Sequence, residues 1–442
     1  MMTVSPAFVK PWLPKSQQPS ILLKNANLID PVDGKIHPNS SVHISEGLFQ
    51  AVSTNGQPIA VPENTITIDI SGKYICPGLI DSHVHISAVP GEMDFRHIMN
   101  MPSSESLLRM TYVCREMLYR GFTSVRDCGG APGALKDACN EWLVPGPRLF
   151  ISGHALSQTG GHGDFRHRHD HSHCSSGFVS GLGRVCDGVP ACIAVARDEL
   201  RCGADFVKIM GSGGVVSPTD RLENHQFLPE EIRAMVMVAH NAHTYVTCHA
   251  YSPESIRIAI ENGVKGIEHG NLLDRETAML MAEKGCYLTP TLVTYFSMGD
   301  PSVSHFLPPE SRDKNLDVMN MGFEALRIAK ECNVTMCYGS DLLGPLGRYQ
   351  SKEFGLRGKV LPALDVLQSA TINPAKMMGQ PRLGQVKEGF FADLLVLDKN
   401  PLEDISVLED PDSVIKLVIK DGRICRSQLP GFTGLLDEID SL

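Results

Sequence analysis

Between Leu79 and about Ala375 the chain alternates short apolar runs with helical segments, and this alternation constrains the fold more than any other feature. VTCHA (246–250) has the length and apolar content of a buried strand. SPESIRIAIENG follows, with Ser252 as a helix cap, Pro253 at the first helical position and Gly263 as a stop. GIEHG gives another strand, LDRETAMLMAEKG repeats the helix grammar with Asp274 as cap and Gly285 as stop, and CYLTPTL supplies the next strand. Strands separated by helices are joined by crossovers and run parallel. Roughly 300 residues of this pattern fit an eightfold barrel better than a three-layer sheet.

The flanks follow a different grammar. ILLKNANLIDPVDGKI, SVHISEGLFQAVS and ITIDISGKYICPG near the start, and FADLLVLD and VIKLVIKDGRIC near the end, are short runs broken by Gly, Asp, Asn and Pro. Such runs mark small antiparallel strands. They read as two halves of one β-structure with the barrel inserted between them. The expected architecture is α/β: a distorted (β/α)8 TIM barrel over residues 77–375, and a small β-sandwich made from both chain ends, 1–76 and 376–442. The first 20 residues read as a loose arm.

With 42% hydrophobic and 20% charged residues, the chain has ample material for a large core. A formal net charge of -10 disfavours nucleic acid as a partner, since phosphate binding needs a basic surface. No apolar run reaches membrane-spanning length, and the proline-containing N-terminus lacks a secretory signal's apolar stretch, so a cytoplasmic protein with no membrane partner is expected. Thirteen cysteines without a Cys-x-x-Cys pair read as reduced, mostly buried thiols.

Most of the residues that carry chemistry sit where apolar runs end. His83 and His85 close PGLIDSHVHI; residues two apart on a strand share a face, which makes this pair a two-toothed metal grip. Alone, His-x-His is a weak signal and reads more readily as packing or surface histidines. His249 ends VTCHA and His269 sits in IEHG, each immediately before a loop, where barrel enzymes place reactive groups. Asp341 ends TMCYGSD; Gly344 and Pro345 follow too soon for it to be the cap of a regular helix. Lys208 lies in the apolar ADFVKIMGSGG. Burial disfavours its ammonium, and the free amine can take up carbon dioxide as an anionic carbamate. The competing reading is a lysine paired with a carboxylate or with its head in solvent.

Taken together, His83-x-His85, Lys208, His249, His269 and Asp341 resemble, in order and placement, the amidohydrolase superfamily with a carboxylated-lysine binuclear site. NANLIDPVDGKI and LGQVKEGFFADLLVLDKNP resemble that superfamily's composite β-sandwich, so the likeness covers almost the whole chain. GFTSVRDCGG, SQTGGHGD, GADFVKIMGSGG, CHAYSPESI and IEHG are similar to one branch, which holds imidazolonepropionase-like enzymes, Xaa-Pro dipeptidases and a fungal ochratoxin-hydrolysing amidohydrolase. The resemblance implies two divalent metal ions, zinc suiting mixed histidine and oxygen ligands best, with carbon dioxide present as N6-carboxylysine at Lys208. It assigns His83, His85, Lys208 and Asp341 to one ion, and the carbamate, His249 and His269 to the other. A metal-bridging hydroxide would attack a small-molecule amide, and Asp341 would carry the proton to the leaving amine. It also implies a homo-oligomer.

Around this core, Tyr251 is expected at the substrate carbonyl, or else packed on the barrel rim. His162 is expected at a substrate carboxylate, on a long loop (HGDFRHRHDHSHCSSG), too polar for a buried element, at the active-site face. Along that loop, the alternating His167, His169, His171 and His173 read as solvated rather than as a third metal site. Arg126-Asp127 reads as structural, orienting a ligand. Cys248 points away from His249 and reads as packing. The leading function is hydrolysis of carboxylate-bearing N-acyl amino acids or dipeptides, ochratoxin A included. The alternatives are a cyclic-amide hydrolase, an Xaa-Pro dipeptidase, and a non-enzymatic assembly protein, which would have shed metal ligands.

Overall fold

The computed structural model describes residues 10, 12, 19–166, 169, 170, 179–217, 219–303, 306, 307 and 309–440. Most of the expected N-terminal arm, and His167, His171 and His173, lie outside the described residues.

Strands from both chain ends form one eight-stranded sheet. Ile21–Ile29, Ile36–Ser45, Leu48–Ser53, Ile66–Asp69 and Tyr74–Pro77 come from the first part, and Leu394–Leu397, Ile415–Lys420 and Arg423–Ser427 from the last. The two sets join at Tyr74–Pro77, which pairs parallel with Ile21–Ile29 and antiparallel with Leu394–Leu397, Leu394 lying opposite Pro77. Side chains alternate across a strand. Leu394, Val396, Leu417 and Ile419 accordingly enter the sheet's own apolar cluster with Ile21, Leu23 and Phe49. Leu395, Leu397, Ile415 and Val418 face the other way, into the large core shared with the barrel.

The barrel strands are Leu79–Val84, Phe122–Asp127, Arg148–Ile151, Val207–Met210, Val246–Ala250, Gly266–His269, Tyr287–Thr289 and Thr335–Met336. The first three run parallel in one sheet, and the last five run parallel in another. Backbone hydrogen bonds link the two sheets on both sides. Ser82 N–H donates to the Tyr338 carbonyl (2.7 Å) and Asp341 N–H to that of His83 (2.8 Å), while Asp205 N–H donates to the Ile151 carbonyl (2.7 Å). This is the (β/α)8 arrangement the alternation predicts, with the strands' carboxyl ends at one mouth.

The connecting helices start and stop where the sequence signals them. In Pro253–Glu261 the Ser252 hydroxyl accepts from Ser255 N–H, and in Arg275–Lys284 Asp274 accepts from Thr277 N–H before Gly285 turns left-handed at φ 61°. No described helix is long and apolar enough to cross a membrane. The twelve described cysteines are free thiols, and Cys248 is packed in the barrel core.

Candidate metal centre

The strand Leu79–Val84 is buried throughout and delivers His83 and His85 to the mouth. Their Nε2 atoms are 3.3 Å apart, and Asp341 Oδ1 lies 3.4 Å from the first and 3.3 Å from the second. What the other ring nitrogens do settles the tautomers. His83 Nδ1 donates to the Glu268 carboxylate (2.8 Å), and His85 Nδ1 donates to the Gly129 carbonyl (2.9 Å). Both Nε2 atoms therefore present lone pairs. Two lone pairs and a carboxylate oxygen form a cluster of acceptors with no donor among them, which a cation satisfies. The spacing fits as well: donors about 2.0–2.1 Å from one tetrahedral ion stand about 3.3–3.4 Å apart.

The opposite side of the mouth carries the remaining candidates. His249 Nε2 donates to the Gly213 carbonyl (3.1 Å), which leaves its Nδ1 as the lone pair. His269 Nδ1 is 2.7 Å from Thr291 Oγ1 and 3.9 Å from Asp341 Oδ2. The His269 ring centroid is 4.6 Å from that of His249 and 4.8 Å from that of His83. Lys208 is 1% exposed and faces the same cavity. Among the described residues no carboxylate pairs with its ammonium and no hydrogen bond reaches it. The carboxylate-paired and solvent-facing alternatives for this lysine are thus absent. His269 (φ 71°) and Asp341 (φ 51°) adopt left-handed backbone conformations that non-glycine residues rarely take, at the strand ends where they face one another.

Burial holds the imidazoles of His83, His249 and His269 well below their ordinary range, with neighbouring cationic and imidazole groups adding to the effect. They stay neutral, as metal ligands must be.

Three buried carboxylates hold this geometry. One Glu268 oxygen binds His83, and the other meets the Arg126 guanidinium (2.5 Å) and the Thr247 hydroxyl. Asp81 accepts from the backbone N–H groups of His83 and Ser340 (3.1 Å each), from Ser340 Oγ (2.6 Å) and from Gln350 Nε2 (2.9 Å); burial pushes its carboxyl up to about 6. Asp127 gathers the N–H groups of Ile86, Gly129 and Ala131, which shapes the turn that presents the Gly129 carbonyl to His85. Arg126 and Asp127 thus act on His83 and His85 indirectly, Arg126 through Glu268 and Asp127 through the Gly129 turn. Asp81 and Glu268 were not anticipated; the available signal was a carboxylate inside an apolar strand, in GLIDSH and GIEH. His83, Cys128 and Glu268 also approach to ligand spacing, but both Glu268 oxygens are engaged and burial drives the Cys128 thiol far up, so this trio is a packing arrangement.

Tyr251 does not pack on the outer rim. It is 3% exposed, lines the cavity with its ring 4.8 Å from that of His249, and shares a 2.9 Å hydrogen bond with the Tyr295 hydroxyl. His162 also lines the cavity, stacked on His249 at 4.2 Å. Here one expectation needs correcting: the polar segment around His162 is not too polar to be buried at its start. His162 (9% exposed) and Asp164 (3%) are inside. Their polar groups find partners within the fold: Ser217 for His162, and Arg166 with the Gly160 N–H for Asp164. His169, further along, is exposed. Phe95, Phe165, Val215, Val216, Met298 and Leu343 give the same cavity an apolar wall.

The amidohydrolase family profile matches residues 74–425. The chain is 31% identical to the ochratoxinase of Aspergillus niger over 408 residues, covering 88% of this chain and 83% of the relative. A crystal structure of a prolidase complexed with N-methylphosphonate-L-proline superposes with a TM-score of 0.88 at 42% identity, covering 92% of this chain and all of the other (100%). An Xaa-Pro dipeptidase with bound methionine in its active site gives a TM-score of 0.83 at 30% identity, over 92% of this chain and 99% of that one. With a match this long, and with relatives this similar, the chain belongs to the amidohydrolase family and is a hydrolase acting on amide bonds.

Proposed function

We propose that the chain is a two-metal enzyme cleaving an amide bond in small carboxylate-bearing N-acyl amino acids or dipeptides, ochratoxin-type amides among them. The acceptor-only triangle of His83, His85 and Asp341 carries this reading. His83, His85, Lys208 and Asp341 would hold one divalent ion, and Lys208, His249 and His269 the other, with zinc the best match to nitrogen and oxygen donors. Lys208 would join both sets as N6-carboxylysine: its amine nitrogen, once free of its extra proton, bonds to the carbon of carbon dioxide and sheds one N–H proton, giving a carbamate anion with two oxygens. When bound, the ions polarise the scissile carbonyl and acidify a water.

The chain's own residues do the rest. The Asp341 carboxylate takes the water's proton and delivers it to the departing nitrogen. Burial and Asp341 keep the Tyr251 hydroxyl protonated, so it can donate to the carbonyl oxygen as charge grows there. His162 faces the substrate, and the apolar wall excludes bulk water. No protein nucleophile is needed. The three domain segments expected from the sequence, and a homo-oligomer, belong to the same reading.

The test is a metal-reconstituted hydrolysis screen over N-acyl amino acids, Xaa-Pro dipeptides, ochratoxin A and cyclic amides. Turnover of the first group or of ochratoxin A supports the proposal, and activity confined to cyclic amides overturns it. A second reading, a dipeptidase confined to Xaa-Pro substrates, is favoured by the 42% identity to the prolidase; it predicts turnover of that group alone.

A further inference from the structure

The segment after the Lys208 strand does three things at once. Gly213 offers its carbonyl to His249 (3.1 Å), Val215 and Val216 form part of the apolar wall, and Ser217 holds His162 Nδ1 at 2.8 Å. Gly214 lies so close to the His162 ring that an added Cβ would fall 2.0 Å from it. This segment is gripped from a distance by Lys314, on the helix Pro309–Glu331. The Lys314 ammonium donates to the carbonyls of Gly214 (3.0 Å), Ser217 (3.3 Å) and Asp220 (2.8 Å). Three N–H donors thus meet three carbonyls of one short stretch. The helix is itself anchored to the mouth by the next residue, Asn315, which donates to the Tyr295 carbonyl (3.0 Å).

The polar chain below His162 has a fixed direction. The Ser217 hydroxyl donates to the Asp220 carboxylate, whose other oxygen accepts from Gln226 Nε2 (2.8 Å). A hydroxyl has one proton, so with that proton on Asp220 the Ser217 oxygen must accept from His162 Nδ1. The ring is buried and stacked on His249, surroundings that disfavour its charged form. Its second nitrogen therefore carries a lone pair.

Resting on the amide-hydrolase reading, we propose that Lys314 is a positioning residue: it clamps this segment so that the Asp220–Ser217 relay fixes His162 with an acceptor nitrogen, which takes a hydrogen bond from a substrate N–H rather than binding the substrate carboxylate. Lys314 touches no substrate. Its effect passes through Ser217 to His162 and through the seating of Val215 and Val216.

The test compares wild type, Lys314→Met, Ser217→Ala and the double variant, all metal-loaded. Lys314→Met should raise KM about tenfold, the size of one lost hydrogen bond, with kcat within about threefold and metal content unchanged. In the Ser217→Ala background the same change should add less than about twofold, because coupled sites are non-additive. A wild-type KM in Lys314→Met, or two fully additive effects, overturns the proposal. If Lys314→Met does not fold, Lys314→Gln carries the same comparison. Hydrogen exchange of peptides covering residues 211–217, measured without substrate, should speed up about tenfold in the Lys314 variant. That readout is independent of turnover. Faster exchange in a protein that hydrolyses no amide leaves the clamp standing and sinks the functional reading; unchanged exchange sinks the clamp.

Discussion

His83 and His249 face the same cavity, each with one ring nitrogen tied back, but to different things. Behind His83 stands Glu268, fully buried and paired with a fully buried Arg126. Behind His249 stands one backbone carbonyl, of Gly213, on a segment held by a lysine from another helix. The first side of the mouth is a network of dehydrated charges, in which removing one member leaves another uncompensated. The second side is held through a loop, by hydrogen bonds from one lysine ammonium to backbone carbonyls. On the proposed reading both sides hold an ion, the first through a stiff charged network and the second through a loop that also seats the substrate.

The largest expected effect falls on the residue that both sides share. Lys208→Ala should lose bound metal and all measurable turnover, with partial rescue by short carboxylic acids that replace the missing carbamate. Full activity, measured beside metal content, would remove the bridging role and leave the two sides unconnected.

Asp341→Asn comes next. It should keep much of its metal while turnover falls about 10²–10⁴-fold, the range for removing a positioned proton carrier. A mild change would place the proton's path outside the charged side.

Glu268→Gln strikes that side from behind. It strands the Arg126 guanidinium and weakens the His83 anchor, so stability should drop by about 3–5 kcal/mol and metal affinity about 10–100-fold. Denaturant titration and competition with a chelator measure both. If neither moves, the network is no stiffer than the loop.

The smallest effect belongs to the loop side. His162→Ala should raise KM about tenfold with metal content unchanged, at a stability cost of about 1–3 kcal/mol for the lost buried partner. Loss of metal in that variant would show that the two sides are not separable.

Much of this was legible in the residues. Ser252 with Pro253, and Asp274 with Gly285, mark helix limits through local bonds, so their signal sits within a few positions. The histidine and aspartate candidates were visible because each stands at or near the end of an apolar run, and Lys208 because it interrupts one. Glu268 and Asp81 were not, because what defines them is a partner far along the chain: His83 lies 185 positions from Glu268, and Ser340 lies 259 from Asp81. Lys314 reads as an ordinary polar residue on a partly exposed helix, its carbonyl cradle 94–100 positions away. The burial of His162 was misjudged for the same reason, since polarity argues for solvent only until internal partners are known.

The seam at Tyr74–Pro77 bears on how the molecule comes into being. One of its neighbours, Ile21–Ile29, leaves the ribosome early; the other, Leu394–Leu397, emerges only after every barrel strand has been made. Until then the edge of the N-terminal strands stays open, a surface prone to joining the wrong chain. A nascent polypeptide stalled or truncated shortly before residue 394 would therefore aggregate, even with every residue of the candidate metal centre already synthesised.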